Sequence, residues 1–420
     1  MKLLQIDTCL NTGSTGRITE SIAQLAKNQG WDCYIVHGAR YAKPGSCMQS
    51  FQTVSKWGEY VHYFEGLCLD NHGLASTQAT KNAIEWIKKV NPDLVQLHCI
   101  HGYYLNYKVL FDYLNSTDIP VVWTFHDCWS FTGHCAHFVS IDCKKWREEG
   151  CHDCPRKDKY PKSYVDRSIR NFNLKKRLFT ANQNLHVVTV SKWLQGLAER
   201  SFFKGKDIRT IYNGVDTKVF KPMDTAEFAK DERFAGKHVL VAAATAWSTN
   251  KGLEDYKKLS ELLPDDLRIV LIGLTDEQIA GLPEKIIGLK RTESATDLAR
   301  YYSMADVVMN LSYQETFGLT TAEGLACGTP GIVYNATASP ELISPETGLV
   351  VETGDVQGAA NAVSTILKNG KSHYTKKCME RAVGLFDKDK QFEEYVRLYN
   401  QLYQEKTLII NRRKPPVLAF

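Results

Sequence analysis

Residues 314–333 read QETFGLTTAEGLACGTPGIV, and two carboxylates in this stretch, Glu315 and Glu323, are separated by seven residues. The first falls on a loop after an apolar run at 307–311, and the second falls at the start of the helix that follows. At that spacing both can face one ligand without stacking on one helical face. Carboxylates accept hydrogen bonds from vicinal hydroxyl pairs, and a sugar and a ribose each offer such a pair. Between the two glutamates, Thr316, Phe317 and Gly318 expose backbone N–H groups at a helix N-terminus, where a pyrophosphate is stabilised. Gly324, Gly328 and Gly331 permit close backbone approach, and Pro330 closes the turn.

Three further segments carry chemistry. Residues 245–253, TAWSTNKGL, follow a strand candidate, and Lys251-Gly252 opens a helix there. A lysine at that place can neutralise a diphosphate leaving group. Residues 11–17, NTGSTGR, form a glycine-bearing loop between the first strand and a helix, without the G-x-G-x-x-G spacing of a dinucleotide fingerprint. Residues 124–133, TFHDCWSFTG, set His126 and Asp127 just after a strand, where an imidazole can hydrogen-bond a sugar or organise an acceptor hydroxyl.

Elements that position these residues follow from hydrophobic patterning. Short β-rich runs alternate with amphipathic stretches in both halves, the pattern of parallel sheets covered by helices. Strands are expected at 2–6, 33–37, 94–98, 121–125 and 186–190, then at 238–243, 268–272, 307–311, 331–334 and 348–351. Helices are expected at 18–29 and 80–90, then at 252–263, 294–304, 322–326 and 357–368. A chain of 420 residues suits two domains. The expected division is a first domain at 1–220 with a cysteine-rich insertion at 128–156, and a second domain at 221–388. The charged, weakly periodic stretch 219–237 serves as linker, and a last helix at 389–410 crosses back to the first domain. Ligands of open α/β sheets bind at the carboxyl ends of the strands.

The segment from Glu315 to Glu323 resembles the E-x7-E region of retaining glycosyltransferases of family 4, the glycosyl transferases group 1 of the GT-B superfamily. That resemblance implies an α/β fold with two Rossmann-like, doubly wound parallel-sheet domains facing a central cleft. It implies that Glu315 binds hydroxyls of the transferred sugar and Glu323 the ribose of a nucleoside diphosphate sugar, with UDP- and GDP-sugars the expected donors. The 11–17 loop resembles the one family members place near the donor phosphates and acceptor, which implicates Gly13, Ser14, Thr15 and Gly16. The residues VSKWL at 190–194 and IYNGVD at 211–216 resemble fold landmarks, so the likeness runs over most of the chain. It departs at one place: family members usually carry an arginine about five residues before the lysine, where this chain has Ala246 and Trp247. Arg17, Arg209 and Arg291 are the candidates to replace it.

By resemblance, a hexose moves with retention to a hydroxyl of a glycan or lipid-linked acceptor in polysaccharide or lipopolysaccharide assembly. The leaving diphosphate itself takes the proton, so no catalytic cofactor is required. A sugar-nucleotide epimerase or hydrolase of the same fold, and a catalytically silent sugar-nucleotide-binding protein, are the competing readings.

Of twelve cysteines, seven stand singly in apolar segments, as buried reduced thiols do in a cytoplasmic protein. Cys135, Cys143, Cys151 and Cys154 cluster in a polar, aromatic insertion with His134, His137 and His152 interleaved. Four thiolates ending in C-x-x-C could hold a structural zinc, while a disulfide pair and free thiols stay open. From 156 to 177 there are nine Lys/Arg against two Asp, interleaved with Tyr160, Tyr164 and Phe172. Such a face suits an anionic membrane surface as well as a solvated helix. The first nine residues pattern as a strand and not as a signal peptide, and no run of about 18 apolar residues occurs. A cytoplasmic, peripherally membrane-associated protein is expected. A net charge of +5 is mild and favours an anionic partner without choosing among nucleotide, nucleic acid and membrane, while the regular two-domain pattern and the carboxylate segment argue against a nucleic-acid partner.

Overall fold

The computed structural model describes residues 1–43, 45–147 and 149–413, the side chains of 229 and 409–413 excepted. The chain divides into two compact units, one of Met1–Ile211 joined by the last helix from Phe392 on, the other of Tyr212–Gln391.

In the first unit the strands are β1 (Lys2–Ile6), β2 (Cys9–Leu10), β3 (Asp32–His37), β4 (Tyr41–Ala42), β5 (Gln49–Gln52), β6 (Leu94–Leu97), β7 (Val121–Phe125), β8 (Leu185–Thr189) and β9 (Asp207–Thr210). Seven of them form one sheet in the order β5-β3-β1-β6-β7-β8-β9, with β2 and β4 paired separately. Every pairing is parallel, as in Leu4 beside both Tyr34 and Val95. The strand order reverses at β1, which puts the switch point beside the carboxyl ends of β1 and β6. The helices are α1 (Gly13–Asn28), α2 (Lys56–Leu69), α3 (Thr77–Val90), α4 (Tyr107–Leu114), α5 (Ser168–Ala181) and α6 (Lys192–Glu199). Each of the five expected strands is present. The sheet's edge strands β5 and β9, QSFQ and DIRT, escape a hydrophobicity pattern because they are mostly polar.

In the second unit the strands are β10 (His238–Ala243), β11 (Leu267–Ile272), β12 (Ile286–Leu289), β13 (Val307–Asn310), β14 (Gly331–Tyr334) and β15 (Gly348–Val351). They form a six-stranded, wholly parallel sheet in the order β12-β11-β10-β13-β14-β15. The helices are α7 (Leu253–Leu262), α8 (Asp276–Ala280), α9 (Ala295–Met304), α10 (Leu319–Ala326), α11 (Val356–Asn369) and α12 (Lys371–Arg381). Edge strand β12 again went unread, being short and broken by Gly288, where a Cβ would lie 2.6 Å from Leu282 Cδ1.

Residues 212–220 belong to the second unit and do not trail from the first. Val215 N donates to Phe386 O at 2.7 Å, Lys388 N to Val215 O at 2.9 Å, and Lys388 Nζ meets Asp216 Oδ2 at 2.6 Å. The last helix, α13 (Lys388–Arg413), then seals the core of the first unit. Its Tyr395, Val396 and Tyr399 are buried with Ile22, Trp31 and Ile35. Tyr399 OH donates to Gln96 Oε1 at 3.1 Å, Thr124 Oγ1 to Tyr395 OH at 3.2 Å, and Trp31 Nε1 to Asn400 Oδ1 at 3.1 Å. Among the described residues no helix is long and apolar enough to cross a membrane.

Candidate active site

The second unit gathers Lys251 and Glu315. After β10 the chain makes a single 3-10 turn at Thr249–Lys251, and Gly252, at φ +72°, starts α7. A Cβ on Gly252 would stand 2.2 Å from Leu311 O, so only glycine lets this turn lie against the loop after β13. Tyr313 N donates to Asn250 O at 2.9 Å and stitches the two loops together. In consequence Lys251 Nζ reaches Glu315 Oε1 at 2.5 Å, with both side chains partly exposed.

Glu315 is fixed from behind. Its N–H donates to Thr337 Oγ1 at 2.8 Å, and its carbonyl accepts from the Thr337 hydroxyl at 2.7 Å and from Ala338 N at 3.2 Å. Thr337 does this from a left-handed backbone, φ +52°, a strained state for a β-branched residue. Beyond Glu315, Gly318 at φ +105° starts α10, leaving the first amides of that helix without intrahelical acceptors. Thr316 is half-buried. The Phe317 ring is buried against Tyr212 and Phe386, with centroids 5.9 and 5.6 Å away, so only its backbone is available to a ligand. Glu323 lies on α10 and accepts a hydrogen bond from Tyr302 OH at 3.3 Å. Burial, then the nearby Glu323 charge, pushes the Tyr302 hydroxyl well above its ordinary pKa, so it stays a donor. Gly324 lets α10 lie on β13: a Cβ there would be 2.5 Å from Val308 Cγ2.

Two features of this site went unread. Asp255, in the first turn of α7, accepts from Tyr313 OH at 2.7 Å and Tyr334 OH at 2.9 Å, tying α7 to the Glu315 loop and to β14. Gln314 is buried with neither amide atom hydrogen-bonded. Trp247, which stands near the expected arginine, is core: its Nε1 donates to Ile272 O at 2.9 Å. Of the replacement cations, Arg17 is exposed on α1, Arg209 pairs with Asp207 at 2.6 Å on β9, and Arg291 is exposed after β12.

In the first unit, Gly13, Ser14, Thr15 and Gly16 form the first turn of α1 and not a loop before it, because Asn11 (φ +49°) and Gly13 (φ +67°) turn the chain at once. Thr15 hydrogen-bonds the buried Asp7, and a Cβ on Gly16 would lie 2.9 Å from Cys9 Cβ; both residues therefore serve packing as well as any ligand. Burial raises the Asp7 carboxyl to about 6.

His126 follows β7 and belongs to a relay. Gln5 Nε2 donates to Thr19 O at 2.9 Å, so Gln5 Oε1 accepts from His98 Nε2 at 3.0 Å. His98 Nδ1 must then accept from His126 Nε2 at 3.2 Å, which leaves the lone pair of neutral His126 on Nδ1. Burial lowers His126 to about 4 and His98 well below the histidine range, consistent with both being neutral. Asp127 meets His101 Nε2 at 2.9 Å and accepts from Trp129 N at 2.8 Å. Burial opposes its charge, but these partners overcome it and hold the carboxyl below its ordinary range. His98 and His101 follow β6 at the switch point, the signal that could have found them.

Cys135, Cys143, Cys151 and Cys154 line one pocket with His134 and His152. The Cys135 thiol donates to Cys154, which, despite burial, brings Cys154 down to about 7. The donor set has the chemistry of a soft-cation site. Among the described residues, however, no three His, Cys, Asp or Glu side chains stand where they could hold a metal ion, and all twelve thiols are free.

Two family models match the chain, Glycosyltransferase Family 4 over residues 15–219 and Glycosyl transferases group 1 over residues 224–382. An Escherichia coli (strain K12) protein with the provisional name colanic acid biosynthesis glycosyl transferase WcaC is 22% identical over 96% of this chain and 100% of its own. Sucrose-phosphate synthase from Thermosynechococcus elongatus superposes with a TM-score of 0.72 at 18% identity, covering 96% of this chain and 99% of that one. Anabaena HepE in complex with UDP-glucose does so with a TM-score of 0.64 at 16% identity, covering 96% and 100%. The fold of the chain is GT-B.

Proposed function

The chain belongs to glycosyltransferase family 4, the glycosyl transferases group 1, and from that membership we propose that it moves a hexose from a nucleoside diphosphate sugar to a hydroxyl of a glycan or lipid-linked acceptor, with retention, in polysaccharide or lipopolysaccharide assembly. The observation that carries this reading is the contact between Lys251 and Glu315, held by the Thr337 clasp at the carboxyl ends of β10 and β13. An arriving diphosphate takes the lysine's charge, which frees the Glu315 carboxylate for sugar hydroxyls. Glu323 takes the ribose. Lys251 and the amides from Thr316 to Gly318 stabilise the leaving diphosphate as the glycosidic bond to it breaks, which makes a catalytic metal unnecessary. The incoming acceptor oxygen attacks on the same face, and its proton passes to the departing diphosphate. His126 offers its Nδ1 lone pair to a sugar hydroxyl. HepE was solved with UDP-glucose, and that supports a UDP-sugar as the first donor to try.

The test is product release from UDP-, GDP- and ADP-sugars with and without membrane extract as acceptor, for the wild type and Glu315→Ala. Acceptor-dependent release that the substitution abolishes is expected. Acceptor-independent turnover would replace transfer with epimerisation or hydrolysis, and silence across the panel would favour a binding protein.

A further inference from the structure

Helix α2 buries two of its polar residues and exposes most of its large apolar ones. Glu59, His62 and Gly66 face inward, while Trp57 (75% exposed), Tyr60 (53%), Val61 (46%) and Phe64 (64%) face solvent. The spacing 57, 60, 61, 64 makes one continuous stripe along the helix. The orientation is locked from beneath. Glu59 Oε1 accepts from Ala39 N at 2.6 Å and Arg40 N at 3.0 Å. His62 Nε2 accepts from Gly73 N at 3.2 Å, so its Nδ1 donates to Ser76 Oγ at 2.8 Å. Rolling the helix to bury the stripe would break all four bonds and leave the amides of Ala39, Arg40 and Gly73 without their acceptors. A contiguous apolar surface maintained in this way is an interaction site.

Its surroundings are basic. Tyr164 N donates to Leu67 O at 2.8 Å, which brings the 162–170 segment beside the end of α2. There Tyr164, Val165 and Ile169 are exposed along with Lys162 and Arg170. Arg40 lies over the Tyr60 ring at 5.1 Å and Lys162 over Tyr164 at 5.7 Å. Lys175 is excluded from this face: it is buried, donating to Trp129 O at 2.7 Å and Thr132 O at 3.0 Å.

We propose that the α2 stripe and the adjoining 162–170 segment dock the protein on an anionic lipid surface. Trp and Tyr rings settle at the boundary of headgroup and acyl chain, and the lysines and arginines around them meet lipid phosphates. The charge complementarity and the aromatic composition select this occupant over a protein partner. Docking needs neither donor nor acceptor, so it stands or falls separately from sugar transfer.

The experiment is co-sedimentation of the full chain with vesicles of phosphatidylcholine alone or mixed with phosphatidylglycerol. Binding to the anionic vesicles is expected. It should weaken about tenfold or more in Trp57→Ser/Phe64→Ser and again in Lys162→Glu/Arg170→Glu, with thermal melts unchanged because all four positions are exposed. Among the described tryptophans only Trp57 is exposed, so brominated acyl chains should quench emission in the wild type and not in Trp57→Phe. Equal binding to neutral vesicles, no binding to either, or lipid-free self-association that the stripe variant abolishes would each overturn the proposal, the last by assigning the stripe to a second copy of this chain.

Discussion

Lys251 Nζ stands 2.5 Å from Glu315 Oε1, and the two residues lie 64 positions apart in the chain. The pair is therefore a product of sheet topology: β10 and β13 are neighbours, and the loops leaving their carboxyl ends meet. Lys251→Met is expected to weaken donor binding and to lower turnover by roughly 10²–10³-fold, as loss of one preorganised charge at a leaving group does. Glu315→Gln keeps the shape and should reduce turnover with a smaller change in donor affinity. Calorimetric donor titration beside initial rates separates the two. Equal affinity in wild type and Lys251→Met would show that the lysine is not on the diphosphate.

Thr337 holds both backbone groups of Glu315 from a left-handed conformation. Thr337→Ala keeps the strain and loses the clasp, so stability should fall by about 1–2 kcal/mol and turnover should fall further than that loss of fold accounts for. Thr337→Gly relieves the strain and still loses the clasp. A variant pair in which glycine restores stability but not turnover is the expected pattern, read by denaturant melts and steady-state rates.

Gly252→Ala would drive a Cβ to within 2.2 Å of Leu311 O at a positive φ. A destabilisation of about 1–3 kcal/mol is expected. Because the same turn carries Lys251, donor affinity should drop with it. Unchanged affinity in the folded fraction would mean that the lysine finds its position without this turn.

Acid should loosen the first unit. Burial lowers His37, His62, His72, His98 and His126, with His62 and His126 at about 4. A histidine lowered on folding takes its proton first in the unfolded chain, so its contribution is intact above the unfolded value and is lost as pH falls from about 6.5 towards 4, by at most about 1.4 kcal/mol per unit per group. Asp7, raised by burial to about 6, opposes them, since its folded form gains protons as pH falls through 6. His134, raised by Asp70 against burial, is fully stabilising below the unfolded value and adds no slope in that window. Over the wider span from pH 7.5 to pH 5 His134 also gains, above 6.5, so five falling contributions against two rising give a lower denaturant midpoint at pH 5 than at pH 7.5. A flat or rising midpoint would contradict the buried neutral histidines.

Much of this architecture was legible because it rests on periodicity. The buried parallel strands are short apolar runs, so 121–125 and 238–243 could be read directly, whereas QSFQ of β5 and DIRT of β9 carry the ladder on polar residues. In the second unit's site, residue types and spacing brought out Lys251, Glu315 and Glu323. The partners that hold them did not show. Asp255 and Thr337 act through distant contacts and a left-handed backbone, neither of which leaves a local pattern. The same limit explains α2: its apolar spacing is that of a core-facing helix, and only the tertiary bonds of Glu59 and His62 turn that face outward.

The second unit lies in the chain between β9 and the part of α13 that seals the first. On a ribosome, the first 211 residues emerge with Gln96, Thr124 and Trp31 awaiting partners that are synthesised some 180 residues later, at Tyr395, Tyr399 and Asn400. A nascent or prematurely terminated chain therefore presents an unsealed core throughout synthesis of the second unit. A product stopped at residue 390 should be open to proteases across its first half, which limited digestion against the full-length chain would reveal. The two units of this chain are thus not two modules made in turn: the first to be translated is the last to be finished.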